Sequence, residues 1–156
     1  MMTDTNLATI AFETHNSRIL NAPRQQVFDA FAKPDLLAHW WGPKGFSITI
    51  EKFDFVVGGE WVFTMQGPAG QSLPNRKKFV EIIRPGKIVF RHFQVGHDFL
   101  MSMTFEAIGD TTRLTWDMQF ESDGDNPDLK GFILTANEEN FDQLGDVLLQ
   151  PTQSEI

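Results

Sequence analysis

The sequence predicts an α+β protein: a curved antiparallel sheet of six to seven strands wrapped around one long C-terminal helix, with two short helices after the first strand. Three observations carry this prediction. Segments in which apolar and polar residues alternate follow one another from residue 47 to residue 120, the period of half-buried strands. A single pattern of helical period closes the chain. Turn signals at Gly58-Gly59, in GPAG around Pro68 and at Pro85-Gly86 separate the alternating segments, as in a meander with one oily face and one wet one.

Residues Thr9 to Leu20 suit a first strand. In APRQQVFDAFAK, Val27, Phe28 and Phe31 share a helical face, and Pro23 stands near the first position, where its missing N–H costs nothing. Pro34 ends that helix and opens a short second one, PDLLAHW, before WWGPKG breaks regular structure. Ile48 and Ile50 alternate with Ser47, Thr49 and Glu51; Trp61, Phe63 and Met65 alternate with Glu60, Val62 and Thr64. Residues 76–84 and 87–93 form a hairpin, with Ile88, Phe90 and His92 on one face of its second strand. Met101, Met103 and Phe105 oppose Ser102 and Thr104, and Leu114, Trp116, Met118 and Phe120 oppose Arg113, Thr115, Asp117 and Gln119. The last helix is expected from about Asp128 to Leu149, with Asn126 as its cap and Pro127 at its first position. On it Leu129, Ile133, Ala136, Asn140, Leu144 and Val147 form one stripe, flanked by Phe132.

A length of 156 residues predicts one domain over residues 1–156, with a core of about 9–149 and tails at 1–8 and 150–156. Fifteen Phe and four Trp stand against no Tyr, so the aromatic surface is oily and phenolic acid–base chemistry is excluded. No Cys is present, which removes disulfides, thiol nucleophiles and zinc–thiolate sites. The start, MMTDTNLATIAFE, does not read as a signal peptide, and no run approaches the roughly 18 apolar residues of a membrane span. A cytoplasmic protein is the expectation.

The net charge of −8 is unevenly distributed: residues 1–97 carry a net +3, whereas residues 98–156 carry −11. The overall sign opposes nucleic-acid binding. Six of the 13 basic residues fall between Arg76 and Arg91, where solvent-facing strand positions are expected. His15, His39, His92 and His97 have no metal-motif spacing, and no phosphate-cradling loop or nucleophile elbow occurs, so no metal and no cofactor are expected.

The segment RILNAPRQQVFDAFAKPDLLAHWWGP (18–43), followed by Asp54, Gly58-Gly59, Trp61 and GPAG, resembles the family of activators of the heat-shock-protein ATPase. That family lies within the START-like, polyketide-cyclase-like (SRPBCC) helix-grip superfamily, and the resemblance runs from about Thr9 to Leu149. It implies a strongly bent sheet gripping the C-terminal helix, an apolar cavity between them, and lipids, sterols, polyketides or other hydrophobic molecules as ligands. It also implies cyclisation or dehydration chemistry in some members and a chaperone partner in others. The eukaryotic co-chaperones carry this module beside a second, N-terminal domain, for which this length leaves no room. Two stretches depart from the family pattern: Val56-Val57 stand where an Arg-Pro pair is common, and Asn140-Phe141 where a Gly-Trp pair is usual.

Ala136 and Asn140 are small or polar residues at the centre of the helix stripe, a place that leaves room for a ligand. Asn140 then bonds either a ligand group or a neighbouring side chain or water. Trp61, Phe63, Phe90, Met101, Met103 and Trp116 on the strands, with Phe132 on the helix, line either a core or a cavity; Trp40 and Trp41 close the core or stand at the cavity mouth. His92 is either a satisfied core residue or a ligand-orienting or acid–base group. Glu81 is its candidate carboxylate if that strand faces inward, and a solvated acid beside Lys78 and Arg84 if it faces outward. No catalytic set is assigned beyond these two candidates. The expected function is binding of a hydrophobic or amphipathic small molecule in the cavity. The alternatives are a chaperone-interacting ATPase-activator-like module and a cofactor-independent cyclase or dehydratase acting on a polyketide-like or aromatic substrate. An exposed edge strand also allows a homodimer.

Overall fold

The alternating segments become seven strands and the helical patterns three helices in a computed structural model, which describes residues 10–93, 98–122 and 125–149. In chain order these are β1 (Phe12–Leu20), α1 (Arg24–Ala32), α2 (Pro34–Leu37), β2 (Ser47–Phe53), β3 (Glu60–Gln66), β4 (Ser72–Ile83), β5 (Lys87–His92), β6 (Phe99–Ile108), β7 (Thr111–Phe120) and α3 (Leu129–Leu148). His97 and the expected tails at 1–8 and 150–156 lie outside the described residues.

The strands form one sheet in the order β1-β7-β6-β5-β4-β3-β2, antiparallel at every pairing. From the β1 edge the chain crosses through α1 and α2 to the opposite edge, then returns strand by strand to close against β1. Pro34 occupies the first turn of α2, where proline's fixed φ suits a helix start. Val27, Phe28 and Phe31 are buried on α1, as the spacing predicts, and Ala30 is buried with them. The turn before β3 needs Gly59: a Cβ there would meet the Asp54 carbonyl oxygen at 2.1 Å.

Two local expectations are corrected. Helix α3 begins at Leu129 with Asp128 as its cap residue; the Asn126 side chain instead accepts the Asp128 N–H at 3.0 Å, making a turn before the helix and leaving Pro127 outside it. The predicted stripe of α3 holds, with Ala136, Asn140 and Leu144 buried and Leu129, Ile133 and Val147 packed against the core; Asn137 and Phe141 widen it on one side, while Phe132, expected on the other, is 61% exposed and lines no interior space. The seam with β1 accounts for the widening. Asn137 donates to Asn16 Oδ1 at 3.0 Å, Asn16 donates to Glu138 at 2.8 Å, and Arg18 bridges Glu138 and Asp142 at 2.7 and 2.6 Å. Phe141 then packs edge-on against Trp116, with ring centroids 4.9 Å apart.

Strand β4 contains a bulge. Phe79 pairs with Phe90 but Glu81 pairs with Val89, leaving Val80 as an extra, exposed residue. Before the bulge, Lys77 and Phe79 face inward; after it, Ile82 packs on the core and Glu81 does not. No helix among the described residues is long and apolar enough to cross a membrane.

Candidate functional site

Two polar regions of the interior differ in character. The first surrounds the turn after α2. Gly42, at φ +122°, donates its N–H to Asn140 Oδ1 at 2.8 Å, and Asn140 Nδ2 donates to the Ala136 carbonyl at 3.1 Å. Gln143 Nε2 donates to the carbonyls of Trp40 and Gly42 at 2.9 and 2.6 Å, and the Lys44 N–H donates to Glu139 at 3.0 Å. Three polar side chains of α3 thus hold an irregular loop whose backbone groups have no strand partner. Asn140 is engaged with protein groups, and the helix that carries it is tied to Trp40 and Gly42.

The second region follows from strand register. Trp61 on β3 stands opposite Lys77 on β4, Lys77 opposite His92 on β5, His92 opposite Phe99 on β6, Phe99 opposite Phe120 on β7, and Phe120 opposite Phe12 on β1. This rung crosses the sheet as a file of rings, with centroids 4.6 Å apart for His92–Phe99, 5.0 Å for Phe99–Phe120 and 4.5 Å for Phe120–Phe12. Lys77 and His92 are its polar members, each only 3% exposed.

The Lys77 ammonium position lies 3.0 Å from His92 Nδ1 and 3.2 Å from Asn75 Oδ1. Around it stand the rings of Phe63, Trp61, Phe90 and Phe99, with centroids 4.7, 5.3, 5.7 and 5.9 Å away. No carboxylate of the described residues pairs with it. Burial disfavours the charged form of an amine, and here it pushes the Lys77 amine down to about 7. Its strand neighbours Arg76 and Lys78 are exposed, and Arg76 pairs with Glu60, whose carboxyl is held below the usual range by Arg76 and Lys52.

Lys77 and Asn75 were absent from the sequence expectation, which placed the 76–91 cations on the wet face. The signal was parity: two steps back from Phe79 along an alternating strand puts Lys77 inside. Of the two readings of Glu81, the outward, solvated one is what the structure shows. The bulge turns Glu81 outward, where it is half-exposed and meets Lys87 at 3.0 Å, so the inward partner of His92 is Lys77.

The remaining predicted lining residues are buried, and many belong to one aromatic cluster. Trp41 touches Trp61 and Trp116, with centroids 4.9 and 5.2 Å apart, and Phe31 contacts Trp41, Trp61 and Phe90. Trp40 is buried too, donating from its indole to the Ala30 carbonyl at 2.9 Å. Met101 and Met103 are 1% exposed on the inner face of β6, and Phe63 and Phe90 flank Lys77. Ala136 is buried on α3. The indole N–H groups of Trp61 and Trp116 are buried and meet no acceptor. Three open grooves on the described surface, the largest about 650 Å³ beside His39 and Phe53, are bordered by none of the predicted site residues.

Comparison with known proteins fits this architecture. The model of the family described as Activator of Hsp90 ATPase homolog 1-like protein matches residues 21–148. The chain belongs to that family. Lys77, His92 and Asn140 lie inside the matched stretch, while β1 precedes it. Among solved structures, a protein from Arthrobacter aurescens superposes with a TM-score of 0.82 at 24% identity, covering 91% of this chain and 88% of that one. A protein from Chromobacterium violaceum gives 0.79 at 23% identity over 90% and 98% of the two chains, and one from Nitrosomonas europaea 0.77 at 21% over 90% and 95%. These likenesses show the family's fold. No curated protein matches the chain.

Proposed function

We propose that this chain binds a small hydrophobic or amphipathic molecule in the interior between sheet and α3, with the molecule's polar end against Lys77 and His92. One observation carries the reading: a buried amine walled by four aromatic rings and paired with no carboxylate among the described residues. Burying an amine without a counter-charge is costly, and a ligand acceptor offsets that cost. The unmet indole donors of Trp61 and Trp116 support the same reading, since a buried donor left unsatisfied costs about 1–3 kcal/mol.

The test uses an anilinonaphthalene-sulfonate dye, an apolar body with one anionic end, together with native mass spectrometry of the freshly purified chain. The expected result is saturable dye fluorescence at one site per chain, lost in Lys77→Met and displaced by any co-purifying molecule. Ala136→Trp, which puts a bulky ring on the buried face of α3, should also abolish binding while the chain still melts cooperatively. Unchanged dye binding in both variants would overturn the reading. A second reading, a chaperone-contacting module, draws on the family description. Stimulation of an Hsp90 ATPase by this chain, with no dye binding, would put it in first place.

A further inference from the structure

We infer that Lys77 is a nucleophilic amine that forms an imine with a small apolar aldehyde or ketone, with His92 moving the proton. The inference rests on the binding reading above and names the class of carbonyl compound the site would take. Its basis is the arrangement of acceptors around Nζ. An uncharged amine has two N–H donors and one lone pair; Asn75 Oδ1 stands at 3.2 Å to receive one donor, and His92 Nδ1, at 3.0 Å, receives the other when its ring is in the Nε2–H form. The lone pair is then left for the aromatic enclosure of Trp61, Phe63, Phe90 and Phe99. An ammonium would bring a third N–H with only ring faces to meet.

Desolvation among apolar groups is the usual means by which a protein activates a lysine nucleophile. With its amine brought down to about 7, Lys77 holds a large uncharged fraction at neutral pH. The titratable partner facing it across the strand pair is His92, and the carboxylates of this part of the sheet, Glu60 and Glu81, are engaged elsewhere with Arg76 and Lys87.

The step balances without a further reagent. The Nζ lone pair attacks the carbonyl carbon and the carbonyl π electrons move to oxygen. An amine proton passes to His92 Nδ1, which accepts it when the ring is in its Nε2–H form, and is returned to that oxygen to give the carbinolamine. The C–O bond then breaks, oxygen leaves as water after a second proton transfer through His92, and a C=N bond joins Lys77 to the carbonyl carbon. Phe99, stacked on His92 at 4.6 Å, holds the imidazole plane against the amine.

The adjacent lysine supplies the control. Lys78 is exposed on the opposite face of the same strand, so it reports ordinary lysine reactivity in the same molecule. The full chain is incubated at about pH 7 with benzaldehyde and cyanoborohydride, which reduces an imine to a stable N-benzyl amine, and the modified lysines are mapped by mass spectrometry. Benzaldehyde binding is followed separately by quenching of tryptophan emission. Lys77 is expected to be benzylated roughly tenfold or more faster than Lys78, because a desolvated amine is uncharged where an exposed one is an ammonium. His92→Gln should slow the Lys77 reaction while benzaldehyde still binds, a result that simple packing by His92 would not give. Equal labelling of Lys77 and Lys78 overturns the inference. Saturable quenching with no Lys77 adduct also overturns it, and leaves the binding reading standing. Neither quenching nor adduct rejects both. The wild-type comparison needs no variant to fold.

Discussion

The turn held by α3 and the rung through β4 and β5 both place polar groups in the interior, yet they end differently. Asn140, Gln143 and Glu139 are committed to backbone groups of Trp40, Gly42 and Lys44, so their role is completed within the fold. Lys77 has Asn75 Oδ1 and His92 Nδ1 in hydrogen-bond reach and no carboxylate partner among the described residues. The comparison separates polar residues that build the structure from one the structure tolerates at a cost. A buried polar residue suggests function only once its own partners have been counted.

The sharpest way to break that contrast is to follow stability against pH. The Lys77 amine is depressed from its ordinary 10.5 to about 7, so between those values the unfolded chain binds more protons and folding strengthens as pH rises. Relative to Lys77→Met, the wild type should gain roughly 1.4 kcal/mol per pH unit between about pH 7.5 and 9.5, on the order of 3 kcal/mol in all, with little relative change below about pH 6. Urea unfolding curves of the two proteins at several pH values measure this; a constant difference would show that Lys77 is not held uncharged.

The opposite region should answer in the opposite way. Asn140→Leu strands the Gly42 N–H and is expected to cost about 2 kcal/mol, with the pH dependence and dye affinity of the wild type retained. A loss of dye binding matching that of Lys77→Met would merge the two regions into one site. Gln143→Ala removes two donors from carbonyls at a partly exposed position, for about 1 kcal/mol in the same unfolding assay. Smallest of all, Glu81→Gln should change stability by less than about 0.5 kcal/mol and leave the benzylation rate of Lys77 untouched, because its ion pair with Lys87 is exposed.

Much of the fold was legible because each element announces its own period. The strand alternations and the Pro-initiated short helices are local patterns, and the structure follows them in order. What escaped the sequence depends on distant partners or on a single residue of register. The burial of Asn137 and Phe141 beside the predicted stripe of α3 is fixed by Asn16 and Trp116, contacts across more than a hundred residues or across the core that no helical period reveals. For His92 the strand and face were readable, but its partner was not: Glu81 was left with two possible facings, and the choice turns on a bulge that composition does not mark. Lys77 could have been read. It was hidden by a count of charges that took Arg76, Lys77 and Lys78 as one basic cluster, although alternation sends the middle one inward.

The bulge at Val80 also acts as a sorting device for charge. Strict alternation from Lys77 and Phe79 would bring Glu81 inside; the one surplus residue reverses the facing, and the acid emerges on the wet side beside Lys87. A regular pairing of Val80 with Val89, with no bulge, would therefore do more than straighten a strand. It would carry a carboxylate into the same oily layer as the amine and give that layer a second ionisable occupant. The chemical isolation of Lys77 depends on an irregularity that lies three positions further along the strand.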